Sequence, residues 1–96
     1  MRISEFEKTV IIESAKNEDS DARIWLFGSR TDDNKKGGDI DIAILSEIIS
    51  SDVMKKITVS QLIRNKIGEQ KIDIVTSRDG REAFFRLAVD EGIELL

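Results

Sequence analysis

Asp39 and Asp41 open a run of alternating isoleucines, Asp39 to Leu45 (DIDIAIL). In an extended strand a period of two sends both carboxylates to one side, about 7 Å apart at Cβ, and Ile40, Ile42 and Ile44 to the other. Asp73 repeats the local pattern between Ile72 and Ile74, which buries a carboxylate where a strand beside Asp39 to Leu45 would usually place Val or Ile. Two ionised carboxylates at about 7 Å repel by roughly 2 kcal/mol at an effective dielectric near 20, and a third adds similar terms. That repulsion is offset either by protonation of one carboxyl, with a raised pKa, or by one or two divalent cations. Three convergent carboxylates with positions open to water and phosphate oxygens suit Mg²⁺. Gly28 and Ser29 follow the apolar Arg23 to Phe27 (RIWLF). A glycine turn and the amides after it, with the Ser29 hydroxyl, make an anion cradle of the kind that holds phosphate. Together these features imply a nucleotide polyphosphate.

The elements that must hold these groups can be read from periodicity and caps. Ser4 with Glu7 forms a capping-box signature before Val10 and Ile11, which predicts a helix from about Ser4 to Lys16. Arg23 to Phe27 reads as a strand, Gly28 to Gly38 as a polar loop, and Asp39 to Leu45 as a second strand. Ser50 or Ser51 caps a helix starting at Asp52, with Val59, Leu62, Ile63 and Ile67 on one face and Gly68 as its stop. Lys71 to Thr76 is the third strand. A last helix from about Asp79 to Glu91 turns Ala83, Phe84, Leu87 and Ala88 inward and ends at Gly92. Trp25, Phe27, Phe84 and Phe85 are core candidates, although one of the adjacent Phe pair must point elsewhere, where it could meet a partner. The order α-β-β-α-β-α predicts an α/β (α+β) fold, a small mixed β-sheet flanked by helices. If the helix after Asp52 is a crossover, the second and third strands are parallel neighbours and Asp73 comes beside the Asp pair.

Composition bounds the chemistry. The 96 residues predict one domain, 1–96, and 40% apolar with 35% charged residues suits an ordinary soluble globule. The chain has no Cys, His or Tyr, which excludes thiolate and imidazole chemistry and leaves carboxylates, hydroxyls, Lys, Arg, backbone amides and hard cations. A net charge of −4 disfavours sequence-independent binding to nucleic-acid backbones. Without a membrane-length apolar run or a signal-peptide pattern, the expected location is the cytoplasm.

The spacing Gly28-Ser29, nine residues, Asp39-Ile40-Asp41, with a later Ile72-Asp73-Ile74, resembles the signature of the DNA polymerase beta-like nucleotidyltransferase superfamily. With no nucleobase-binding or acceptor domain in these residues, the resemblance is to the minimal nucleotidyltransferases, the MNT or MntA-like proteins paired with HEPN-domain partners. It implies that Asp39 and Asp41 bridge two Mg²⁺ ions, and that Asp73 holds the acceptor-side metal and takes the acceptor's proton. It further implies that Gly28 and Ser29, with Arg30 beside them, grip the phosphates of ATP. The activity implied is transfer of AMP to a hydroxyl of a partner protein, as in antitoxins that modify a HEPN toxin. The loop departs from the family's usual Gly-Ser-Arg-Ala-Arg-Gly: Arg30 is followed by Thr31, Asp32 and Asp33, and Lys35 or Lys36 would have to supply the missing cation. That departure motivates an alternative, a catalytically weak or inactive subunit that neutralises a HEPN partner by forming a complex. Acceptor, base preference and homo- or hetero-oligomeric state are left open by the sequence.

Overall fold

The computed structural model describes residues 3–28 and 39–96. Its elements are α1 (Glu5–Glu18), β1 (Arg23–Phe27), β2 (Ile40–Leu45), α2 (Glu47–Ser50), α3 (Val53–Ile67), β3 (Ile72–Ser77), α4 (Ala83–Glu91) and β4 (Ile93–Leu95). The expected order is present, with a single-turn α2 and a short β4 added to it. The four strands form one mixed sheet in the order β3-β2-β1-β4. β1 is antiparallel to β2 and to β4, whereas β2 and β3 are parallel, because α3 carries the chain back across the sheet between them.

Local chemistry explains the element ends. The Glu7 N–H donates to Ser4 Oγ at 3.0 Å, and Glu7 Oε1 accepts from the Ser4 N–H at 2.9 Å, so the capping box of α1 is complete. The cap of α3 is Asp52, whose Oδ1 accepts from the Met54 N–H at 2.9 Å, in place of the expected Ser50 or Ser51. α4 begins at Ala83, later than the expected Asp79. The turn ahead of it is held by side chains: the Gly80 N–H donates to Ser77 Oγ, the Ser77 hydroxyl donates to Glu82, and the Arg81 N–H donates to Asp79. Amides that would open a helix are thus already committed.

The sheet separates two apolar layers. Ile24 and Leu26, Ile40, Ile42 and Ile44, and Ile72 and Ile74 face Val10, Ile11 and Ala15 of α1 and Val59 and Ile63 of α3. On the opposite face Trp25, Ala43, Phe85 and Ala88 make a smaller cluster under α4. Trp25 lies opposite Ala43 across the β1–β2 ladder, so the small residue leaves room for the indole. Phe85 meets that indole edge-on, with ring centroids 6.0 Å apart and planes at 87°. The inward face of α4 differs from the expected one: Phe85 and Ala88 are buried, while Phe84 is 61% and Leu87 55% exposed. β4 is tied to β1 by a bidentate pair in which Arg23 Nε and Nη2 each donate to Glu94 at 2.9 Å.

Candidate active site

Asp41 belongs to the sheet face that α4 covers, two residues before Ala43. Parallel register sets Asp41 directly opposite Asp73 of β3. Neighbouring strands lie about 4.8 Å apart, and residues in register point to the same face, so the two side chains leave adjacent strands on one side of the sheet. Asp39 sits one residue before β2, on the side of the alternation that Asp41 occupies.

The third member of this group is more open than the sequence suggests. Asp73 is exposed rather than buried between its isoleucines, since Ile72 and Ile74 point into the layer beneath α1 and α3. β3 is also the outermost strand on that side of the sheet.

Gly28 closes the site from β1. Phe27 pairs with Asp41, and the next residue turns with φ of +75°, a left-handed conformation that costs L side chains about 1–2 kcal/mol. A Cβ at Gly28 would also overlap an Asp41 carboxylate oxygen and lie 3.1 Å from its Cγ. Glycine is therefore required twice here, for the dihedral and for the close approach of backbone to carboxylate. Ser29 and Arg30, the other expected phosphate contacts, lie outside the described residues, as do Asp32, Asp33, Lys35 and Lys36.

The electrostatics follow from this packing. Partial burial raises the Asp41 carboxyl above its ordinary value, Asp73 and then Asp39 push it further up, and Lys71 opposes them. Lys71 was not among the expected site residues. Its Nζ lies 3.5 Å from Asp39 Oδ2, and the Ile40 N–H donates to the Lys71 carbonyl at 3.1 Å. The signal was present in the sequence: Lys71 precedes Ile72 as Asp39 precedes Ile40, so parallel pairing makes them neighbours.

Carboxylate oxygens are the hard donors that Mg²⁺ takes, and a divalent cation offsets the same repulsion that raises Asp41. Asp39, Asp41 and Asp73 are the residues that could hold one. Among the described residues no group of three or more acidic side chains is gathered closely enough to cage a metal as the side chains stand, although register gives Asp41 and Asp73 adjacent backbone positions. A cleft of about 500 Å³ opens at the opposite end of β2 and is lined in part by Asp19, Ser46, Glu47 and Arg78. Its polar groups are occupied with one another: the Ser46 hydroxyl donates to Asp19 at 2.6 Å and Arg78 to Glu47 at 3.0 Å.

An acid at the start of a strand facing another across a parallel ladder, a third acid two residues before the first, and a glycine turn at the end of the adjacent strand form the frame of a nucleotidyl-transferring domain. The family model described as "Polymerase beta, Nucleotidyltransferase" matches residues 9–96, from within α1 through β4. The chain belongs to the polymerase beta nucleotidyltransferase family. No curated protein matches it. Among the described residues no helix is long and apolar enough to cross a membrane.

Proposed function

We propose that this member of the family is an Mg²⁺-dependent enzyme that moves AMP from ATP to a hydroxyl of a partner protein, a HEPN-domain protein in the manner of an MntA-like antitoxin. The observation that carries the reading is the Asp41–Asp73 register beside Gly28. A phosphoryl transfer needs clustered hard donors next to backbone that a phosphate can approach closely, and these residues supply both.

Asp39 and Asp41 would hold the metal, with Asp73 completing the set on the acceptor side. Magnesium bound there supplies charge neutralisation for the triphosphate and for the charge that develops in transfer. Asp73, solvent-accessible on the rim strand, receives the proton of the incoming hydroxyl. The hydroxyl oxygen forms a bond to the α-phosphorus in line, the bond from that phosphorus to the bridging oxygen of the β-phosphate breaks, and pyrophosphate departs. Gly28 brings backbone amide against the phosphates without a side chain intervening. Because the reaction consumes ATP and needs bound Mg²⁺, the reading goes with a cytoplasmic protein.

Incubation of the folded chain with a co-expressed HEPN-domain protein, ATP and Mg²⁺ is expected to add the mass of one AMP, or a small whole number of them, to that partner. No mass gain with any of the four ribonucleoside triphosphates would end the proposal. The pairing of Asp39 with Lys71 favours a second reading, a subunit that silences its partner by binding alone. Under that reading Asp39→Asn still forms the complex and still suppresses the partner's activity, whereas under the first it forms the complex without suppressing.

A further inference from the structure

We propose that Lys71 is a positioning residue of this site: a tethered counter-ion that holds Asp39 until a divalent cation takes its place, and thereby sets how readily such a cation binds. The inference deepens the metal-binding reading above and rests on it. The tether is the backbone. The Ile40 N–H donates to the Lys71 carbonyl at 3.1 Å, and the Ile40–Ile72 pair starts the parallel ladder immediately after Asp39 and Lys71, so ammonium and carboxylate are brought together by register. Among the described residues no other ammonium or guanidinium forms an ion pair with Asp39, Asp41 or Asp73.

The pair is built to yield. Its Nζ–Oδ2 separation is 3.5 Å, and the Lys71 and Asp39 side chains are 69% and 42% exposed, so water competes for both partners and salt screens them. A divalent cation brings twice the charge and ligates the oxygen directly, which a hydrated ammonium does not match. One positive charge beside a group of three acids also repels an incoming cation, by an amount worth about 3–10-fold in affinity at these separations in a solvated site. Lys71 therefore steadies the acids at the cost of weaker cation binding.

The test is calorimetric titration of Mn²⁺ alone, without nucleotide, into the wild-type chain, Lys71→Met and Lys71→Arg. Melting curves recorded without cation check that each is folded. Lys71→Met is expected to bind Mn²⁺ about 3–10-fold more tightly and to show a larger Mn²⁺-induced rise in Tm, with Lys71→Arg restoring wild-type affinity. Wild-type binding with Lys71→Met equal or weaker overturns the counter-ion role and leaves the metal site standing. No Mn²⁺ uptake by any of the three overturns the metal site and the counter-ion role together.

Discussion

Asp41 is held against its own ionisation. Burial and its two acidic neighbours raise its carboxyl, so the folded chain binds that proton more tightly than the unfolded chain does. The resulting loss of stability is present at neutral pH, shrinks as pH falls through the raised value, and is gone below the ordinary aspartate range. Asp41→Asn is therefore expected to abolish nucleotidyl transfer while raising stability at pH 7 by about 1 kcal/mol, the Coulomb repulsion discounted for solvent contact, or about 4–8 °C in Tm. Thermal melts should show that advantage disappearing near pH 3. Gly28→Ala has the opposite sign. It puts a side chain into a left-handed turn and against the Asp41 carboxylate, and should cost about 1–3 kcal/mol, read as a lowered Tm at every pH.

Gly92, between α4 and β4, shows what an element junction demands. Its φ of −94° suits any residue, but a Cβ there would lie 2.7 Å from the Ala88 carbonyl oxygen and 2.8 Å from that of Leu26. Neither backbone atom can step aside, so Gly92→Ala is expected to cost about 1–3 kcal/mol and to speed amide exchange in β4 before the rest of the sheet, which hydrogen-exchange mass spectrometry would report. The elements differed in how plainly they could be read. The start of α1 was legible because Ser4 and Glu7 satisfy each other locally. The parallel β2–β3 pairing was legible because a helix of α3's length between two strands permits little else. The inward face of α4 was not. Ala83, Phe84 and Leu87 make as apolar a stripe as Phe85, Ala88 and Val89, and only the Trp25–Ala43 surface, brought from two other strands, chooses between them. β4 spans three residues and owes its existence to a pairing with β1 across the length of the chain. Lys71 meets Asp39 only once β2 and β3 lie in register, although the matching offsets before Ile40 and Ile72 are written in the sequence.

In the whole molecule those choices are energetic. Phe85→Ala would empty the centre of the smaller core and cost about 3–5 kcal/mol, a large share of the 5–15 kcal/mol typical of a domain. Phe84→Ala, on the exposed side of the same helix, should stay within about 0.5 kcal/mol; chemical denaturation of the two variants separates them. The strand order has a kinetic side as well. Asp41 belongs to β2, which is hydrogen-bonded on both flanks and begins one residue after Asp39, whereas Asp73 rides on a rim strand joined to the sheet along one flank only. Fraying of that rim would carry away Asp73, the acid assigned to the acceptor in the proposed reaction, and leave Asp41 in place. Under the proposed reaction, each such opening removes the proton acceptor for its own lifetime while the strand that carries Asp41 stays paired on both sides.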